Sequence, residues 1–224
     1  MNNNYTSEHI KVLSDLEHMR LRKGMYIGEG KDPRSLITEI IDNAIDEVQA
    51  GYSEFFEVHV NSKENCYTVR DYGRGIPHGM KELEGGVKKE ILEVLLSKAN
   101  SGGKFDNSAY LYSSGLHGVG LTVTRALSKY MVVKSMRGTK MVMAECNDKD
   151  DLEITYWEGD KQQGTEVTFI PNKKYFHDAR IPIDYIQDKC KVASALGSLP
   201  SPIYMPLRSL MCSKSDRTFM CSDV

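Results

Sequence analysis

The sequence predicts an α+β fold, a two-layer sandwich in which a mostly antiparallel sheet is covered on one face by helices. Apolar residues recur with helical spacing in the first half of the chain, in the segments 13–23, 35–50, 88–99 and 121–127. From residue 130 the pattern changes to one typical of strands, in the segments 130–135, 140–146, 152–157 and 164–170. A last helical segment at 183–196 precedes a weakly patterned tail at 198–224.

The helix predicted at 35–50 has recognisable boundary signals. Asp32 and Pro33 stand in front of it, where an N-cap carboxylate and a proline at the first helical position are common. Gly51 follows the last apolar position, where a glycine commonly ends a helix. The apolar residues between these signals form a broad stripe that predicts a core-facing helix.

One polar edge of this helix is a candidate cavity wall. Glu39 and Asn43 are four residues apart and therefore share a face, and Asp46 and Glu47 continue that edge. The edge runs beside the apolar stripe. In an isolated amphipathic helix such an edge is most often solvated, so its meaning depends on the motifs that follow.

Two strands are predicted at 55–60 and 66–70, joined by a hairpin turn at 62–65. The second strand runs directly into D-Y-G-R-G-I-P at 71–77. An aspartate at a strand end can accept a hydrogen bond from an exocyclic amine such as the N6 of adenine, and the glycines beside it let a ligand approach the backbone. Taken alone, these residues are explained better by an aspartate-initiated turn. The segment 79–86 is predicted to be a loop.

The segment 97–120 is long, irregular and rich in Gly, Ser and Asn, which predicts a functional lid. It ends in G-L-H-G-V-G at 115–120, immediately before a predicted helix. Backbone N–H groups at a helix N-terminus form an anion site suited to phosphates. The loop is not a Walker A motif, because no Gly-Lys-Ser/Thr follows, and no strand leads into it as in a Rossmann fingerprint.

The composition is that of an ordinary globular protein. The 224 residues are 40% hydrophobic and 27% charged, with a net charge of −2, which argues against a dedicated nucleic-acid surface. No apolar run is long enough to span a bilayer, and the first residues have no secretory pattern, so no membrane association is expected. The five scattered cysteines form no C-x-x-C pair and predict reduced thiols in the cytoplasm.

The order of these motifs resembles a known family. E-x-x-x-N, D-x-G-x-G, G-x-x-G-x-G and a final G-T follow one another as in the GHKL ATPase superfamily. Longer stretches are similar to the DNA gyrase B and topoisomerase IV ParE family: R-K-G-M-Y-I-G at 22–28, E-I-I-D-N-A-I-D-E at 39–47, G-R-G-I-P at 73–77, G-G-K-F-D at 102–106 and S-G-L-H-G-V-G at 114–120. The resemblance covers about residues 5–171.

This resemblance implies a type II DNA topoisomerase subunit whose ATPase uses Mg²⁺. Glu39 would be the general base for the water that attacks the γ-phosphate, and Asn43 would hold the Mg²⁺. Asp71, assisted by Thr165, would bind adenine N6, and Arg74 would stack at the pocket mouth. Further ATP-binding positions implied by the resemblance are Tyr5, Asp46, Gly75, Ile76, Pro77, Lys104, Ser114, Gly115, Leu116, His117, Gly118, Val119 and Gly120. Apolar walls would come from Ile40, Ala44, Val69, Ile76 and Pro77.

The resemblance also implies partners and a domain organisation. Residues 1–13 would be an arm that reaches a second copy of the chain when ATP binds, with Tyr5 at the partner's nucleotide. Residues 97–120 would be the ATP lid, and the whole of 1–224 one ATP-binding domain, a fragment of a longer subunit. An A-type subunit or region, duplex DNA and gyrase-type ATP-site inhibitors are the other partners that the family implies.

Several positions depart from the family pattern and leave an alternative open. Lys23 stands where a proline is usual, Tyr72 replaces a common acidic residue and Ser114 a glycine. Ser35 and Ile37 stand where the family usually has histidines, and Leu111 stands in place of a lysine. The missing histidines and Leu111 allow a non-catalytic ATP-responsive dimerisation module as a second hypothesis. A histidine-kinase or chaperone-type domain is a third, which M-Y-I-G and S-G-L-H-G-V-G disfavour.

Overall fold

The structure, a computed structural model, describes residues 12–28, 32–83, 85–99, 101 and 118–195, and the backbone alone of 203–206, 210–211 and 220–221. Its helices are α1 (Asp15–Leu21), α2 (Lys23–Ile27), α3 (Arg34–Gln49), α4 (Ile91–Ser97), α5 (Gly120–Leu127) and α6 (Ile183–Ala195). Its strands are β1 (Phe56–Asn61), β2 (Cys66–Asp71), β3 (Met80–Glu82), β4 (Lys88–Glu90), β5 (Ser128–Asn147), β6 (Leu152–Pro171), β7 (Ile203–Pro206), β8 (Leu210–Met211) and β9 (Met220–Cys221).

The main sheet has five strands in the order β5-β6-β2-β1-β7. Three of its pairs are antiparallel, and β7 runs parallel to β1, with residues 203–206 opposite residues 57–60. The helices α3, α4 and α5 pack together, and their apolar faces join the inner face of the sheet in one hydrophobic core. The predicted α+β class, a mostly antiparallel sheet with helices on one face, is confirmed.

Helix α3 is the centre of this core. Leu36, Ile37 and Ile41 have no exposed surface, and Ile40 and Ala44 are 2% exposed. Full burial of each large side chain contributes about 1.5–3 kcal/mol, so the stripe anchors the helix firmly against the sheet. The predicted helical stripe is therefore confirmed.

The ends of α3 differ slightly from the prediction. Pro33 occupies the N-cap position instead of the first helical position, and Asp32 accepts the Arg34 backbone N–H at 3.1 Å. Gly51 adopts φ +76° just after the C-cap, as a C-terminal glycine should, and its N–H bonds the Val48 carbonyl at 2.9 Å.

Three sequence predictions about secondary structure are wrong. The predicted loop at 79–86 contains β3, which pairs with β4, and α4 consequently begins at Ile91 instead of residue 88. The four strands predicted after residue 130 are two strands of 20 residues each. One cause is the polar run at 158–163, which in the sequence resembles a loop between strands. In the structure these residues are exposed on the hairpin of β5 and β6, where polar side chains are tolerated.

Two further findings, on membrane-spanning helices and on cysteines, concern the described residues. No helix among the described residues is long and apolar enough to cross a membrane. The described cysteines Cys66, Cys146 and Cys190 are buried, and none of them forms a disulfide with another described residue.

Candidate active site

A cavity of about 440 Å³ lies between α3 and the sheet. It brings together many of the residues that the sequence singled out: Glu39, Ile40, Asn43, Ala44, Val69, Asp71, Arg74, Gly75, Ile76, Pro77, Gly118, Gly120 and Thr165. These residues come from α3, the end of β2, the loop after β2, the start of α5 and β6. A cavity of this size and mixed lining suits a small-molecule ligand.

Some predicted site residues do not line this cavity. Asp46 lies on α3 and is 2% exposed, but it contributes nothing to the cavity wall. Val119 precedes α5 and its carbonyl accepts the Val123 N–H at 2.8 Å, without reaching the lining. Tyr5, Lys104, Ser114, Gly115, Leu116 and His117 lie outside the described residues.

Asp71 is a buried carboxylate of the cavity. It is 7% exposed, and its Oδ1 accepts the backbone N–H groups of Gly73 at 2.9 Å and Thr165 at 3.2 Å. Among the described residues, hydrogen bonds reach Oδ1 alone, which leaves Oδ2 as an acceptor for a ligand. Burial raises the pKa of Asp71 to about 6, although the two N–H groups oppose that shift.

Gly164 allows β6 to approach this aspartate closely. A Cβ at Gly164 would overlap the Asp71 carbonyl oxygen and would lie 2.7 Å from the Asp71 carbonyl carbon. Gly164 also has φ +106°, a conformation that side chains disfavour. The backbone of Thr165 can therefore donate to Asp71 only because residue 164 is a glycine.

Arg74 lies at the cavity wall in a tight pair with Glu47, which is 9% exposed. The Glu47 carboxylate accepts the Arg74 backbone N–H at 2.9 Å, Nε at 3.2 Å and Nη2 at 2.8 Å. Gly73 makes this pair possible, since a Cβ there would lie 2.8 Å from the Glu47 Cβ. The guanidinium is thus held at a fixed place beside the cavity.

A second part of the cavity wall is formed by Glu39, Asn43 and the start of α5. Glu39 precedes Glu47, the partner of Arg74, by eight residues, which is about 12 Å along α3. Gly120, the first residue of α5, packs so closely on Glu39 that a Cβ would lie 2.7 Å from Oε2 and 3.0 Å from Cβ of the glutamate. The first N–H groups of a helix have no partner within it, so α5 presents donors and a positive dipole end to the same space. This part of the wall combines a carboxylate, an amide and a helix N-terminus, a feature that is suited to anions.

Helix α5 is held in place by buried contacts to α4. Thr122 donates to the Leu95 carbonyl at 2.9 Å, and Arg125 donates to Ser97 Oγ at 2.8 Å and to the Leu96 carbonyl at 3.2 Å. Arg125 is 4% exposed. These bonds fix the position of the helix terminus relative to the cavity.

The family model for histidine kinase-, DNA gyrase B- and HSP90-like ATPases matches residues 28–174, well over half of the chain. The chain belongs to this family. Within it, the chain is 38% identical over 190 residues to the B subunit of a type 2 topoisomerase of Aquifex aeolicus, covering 84% of this chain and 24% of that one. It is 40% identical over 201 residues to the B subunit of DNA topoisomerase 4 of Mycoplasma capricolum, covering 88% of this chain and 30% of that one.

Solved structures give the same result for the fold of this GHKL ATPase domain. The 43K ATPase domain of Thermus thermophilus gyrase B, bound to an aminocoumarin, matches with a TM-score of 0.64 at 30% identity, over 81% of this chain and 46% of that one. The topoisomerase IV ATP-binding domain of Francisella tularensis, bound to a small-molecule inhibitor, matches with a TM-score of 0.62 at 34% identity, over 79% and 46%. The chain spans only 24–30% of the length of the two curated relatives above.

Sequence reasoning missed several cavity residues of this GHKL domain. They are Leu95, Ser101, Leu121, Arg137 and Val167. Glu47 was placed on the candidate cavity wall of α3, where the structure has it, but its pairing with Arg74 was not predicted. Arg137 and Val167 lie in strands that meet the cavity only through the fold, so no local pattern identifies them.

The described residues contain no group of three or more His, Cys, Asp and Glu side chains that could hold a metal ion. The Asn43 amide oxygen, which lines the cavity one helical turn from Glu39, is an oxygen donor of the kind that Mg²⁺ accepts.

Proposed function

We propose that this domain binds and hydrolyses ATP and thereby powers the clamp of a type II DNA topoisomerase of the gyrase B and ParE kind. The observation that carries the proposal is that two separate parts of one cavity wall carry Asp71, a buried carboxylate, and Glu39 with the start of α5. A purine nucleotide has the matching arrangement, with an amine at one end and a polyphosphate at the other.

At the first end, Asp71 would accept the N6 amine of adenine on its free carboxylate oxygen. The Gly73 and Thr165 N–H groups already hold Oδ1, so the carboxylate is oriented before the ligand arrives. Val69, Ile76 and Val167 give apolar walls to a planar base. A guanine in the same place would present its O6 acceptor to a carboxylate acceptor, which disfavours GTP.

At the second end, Glu39 would accept the proton of the water that attacks the γ-phosphate, as a general base. The N–H groups at the start of α5 would hold phosphate oxygens. Asn43 would hold Mg²⁺, and that ion supplies charge neutralisation of the phosphates when it is bound.

The activity of the complete protein is also part of the proposal, since the relatives are three to four times longer than the matched region. We infer that nucleotide binding drives pairing with a second copy through residues 1–13, including Tyr5, and that an A-type subunit or region and duplex DNA complete the enzyme. A cytoplasmic location goes with that role. The two solved relatives bind an aminocoumarin and a small-molecule inhibitor, so we expect ATP-site inhibitors of that kind to bind here.

Binding is tested by calorimetric titration with a non-hydrolysable ATP analogue, with and without Mg²⁺. The unmodified domain should bind, more tightly with Mg²⁺, and Asp71→Asn should reduce the affinity below detection because its amide N–H₂ would face the adenine amine. A folded domain that binds no analogue, or an Asp71→Asn variant that binds as well as the unmodified one, would contradict the assignment of the site.

Hydrolysis is tested with Glu39→Gln. Removing a general base lowers turnover by roughly 10²–10⁴-fold, whereas affinity for the analogue should stay within a few fold. Asp42→Asn is the matched control, since Asp42 is an acidic residue on the same helix that pairs with Lys189 at 2.9 Å and does not line the cavity. Equal turnover in Glu39→Gln and the unmodified domain would favour a non-catalytic ATP-responsive module.

A further inference from the structure

Tyr52 is an exposed aromatic residue that stacks on a cavity-lining side chain. Its ring centroid lies 3.8 Å from the Arg74 Cζ, the shortest of the cation–aromatic contacts found among the described residues. Arg74 lines the cavity and Tyr52 does not, so the tyrosine backs the guanidinium from outside. Half of the Tyr52 surface is exposed, so this residue is not part of the hydrophobic core.

The contacts to Glu47 and to Tyr52 restrict different motions of Arg74. Hydrogen bonds from Nε and Nη2 to a carboxylate lie in the guanidinium plane and fix its position in that plane. They resist tilting of the plane only weakly. An aromatic ring against one face of the guanidinium opposes that tilt, because the cation is attracted to the ring face and cannot pass through it.

The backbone places Tyr52 relative to the same glutamate. Gly51, at φ +76°, turns the chain at the end of α3, and the Tyr52 N–H then bonds the Glu47 carbonyl at 2.9 Å. The Ser53 N–H bonds the same carbonyl at 3.2 Å, and Ser53 Oγ accepts the Tyr72 N–H at 3.1 Å. The loop after α3 is thus tied to the helix end and to the segment that carries Asp71 and Arg74.

We propose that Tyr52 is a positioning residue of the nucleotide site: it holds the Arg74 guanidinium flat, so that the opposite face is presented to the planar base at the cavity mouth. This inference rests on the proposed function, because it needs a planar ligand in the cavity. Tyr52 itself touches no ligand. Its aromatic ring matters and its hydroxyl does not, since the contact is made by the ring face alone.

The experiment measures the affinity of the non-hydrolysable ATP analogue with Mg²⁺ for Tyr52→Leu and Tyr52→Phe. Tyr52→Leu should bind roughly two- to five-fold more weakly, the size expected for an exposed cation–π contact, and Tyr52→Phe should bind as the unmodified domain does. The melting temperature should fall by no more than about 2–4 °C, because an exposed cation–π contact stabilises the free domain only slightly. Tyr156→Leu is the matched control, as Tyr156 is 54% exposed on the β5–β6 hairpin and does not line the cavity.

A second pair of variants separates positioning from a general effect of the surface. Arg74→Lys keeps a cation beside Glu47 but removes the plane, so adding Tyr52→Leu to it should cause no further loss. Unchanged affinity in Tyr52→Leu, an equal loss in Tyr156→Leu, or an undiminished loss in the Arg74→Lys background would overturn the inference. In each of those cases the Asp71→Asn result still decides the proposed function separately, and an unmodified domain that binds no analogue would overturn both.

Discussion

The two ends of the cavity are both built around a glycine, yet the glycines face different neighbours. At the base end, the part around Asp71 where we propose that the base binds, a Cβ on Gly164 would meet backbone atoms of Asp71 and Tyr72. At the phosphate end, the part around Glu39 where we propose that the phosphates bind, a Cβ on Gly120 would meet mainly the side chain of Glu39. A backbone within a sheet cannot move aside, whereas a carboxylate can change rotamer. The base end is therefore fixed by the fold, and the phosphate end is set by one adjustable side chain.

The largest effect is expected for Gly164→Ala at the base end. The added methyl group would overlap the Asp71 carbonyl, and φ +106° is strained for alanine, so β6 and β2 must separate. We expect a loss of about 3 kcal/mol in the free energy of unfolding, measured by urea denaturation, together with loss of nucleotide binding. Gly79→Ala is the control, because Gly79 has φ +111° with open space around it. That variant should lose about 1–2 kcal/mol from backbone strain alone, and equal losses would show that the close approach does not matter.

Gly120→Ala at the phosphate end should change activity more than stability. The methyl group would push the Glu39 carboxylate aside, while alanine is at least as favourable as glycine in a helix. Turnover in a steady-state ATPase assay should fall roughly ten- to a hundred-fold, since misplacement by about 1 Å can cost that much. The free energy of unfolding should stay within about 1 kcal/mol. Gly24→Ala, in α2 with nothing nearby, should alter neither quantity.

The smallest expected effect is a pH dependence at the base end. Asp71 has a pKa of about 6 in the free domain, raised by burial, and an amine donor would favour its ionised form and lower that pKa. Affinity for the analogue should therefore be greatest above pH 6 and should fall by up to about ten-fold per pH unit below it. Calorimetry near pH 6 in buffers of different ionisation enthalpy should detect proton release on binding. No release from this group is expected at pH 8, where Asp71 is ionised in both states, and a constant affinity from pH 5 to 8 would contradict the assignment.

Two elements of the base end, α3 and Asp71, could be predicted from local sequence patterns. The helix α3 has a regular apolar period and Asp71 follows an alternating strand, so local patterns were sufficient to place both. Gly164 and Thr165 were found through their order in the family motif, because nothing local to them indicates that their backbone approaches Asp71.

The remaining parts of the site depend on segments that meet only after folding. The Glu47–Arg74 pair joins α3 to the loop after β2, and neither segment alone reveals a partner. The length of β5 and β6 was missed for a different reason, since a register shift at residues 138–140 lets the hairpin continue past Gly138, a residue type that usually marks a break. Tyr52 was overlooked because its role depends on the left-handed turn at Gly51 and on a cation from another segment.

The parallel pairing of β7 with β1 has a consequence for biogenesis. Residues 57–60 are synthesised early, whereas their partners at 203–206 emerge from the ribosome near the end of this stretch of chain. Until then β1 has β2 on one side and an open row of backbone donors and acceptors on the other, a template for strands of other nascent chains. The sheet of a growing chain therefore passes through a period of vulnerability to aggregation, which ends when β7 covers the edge.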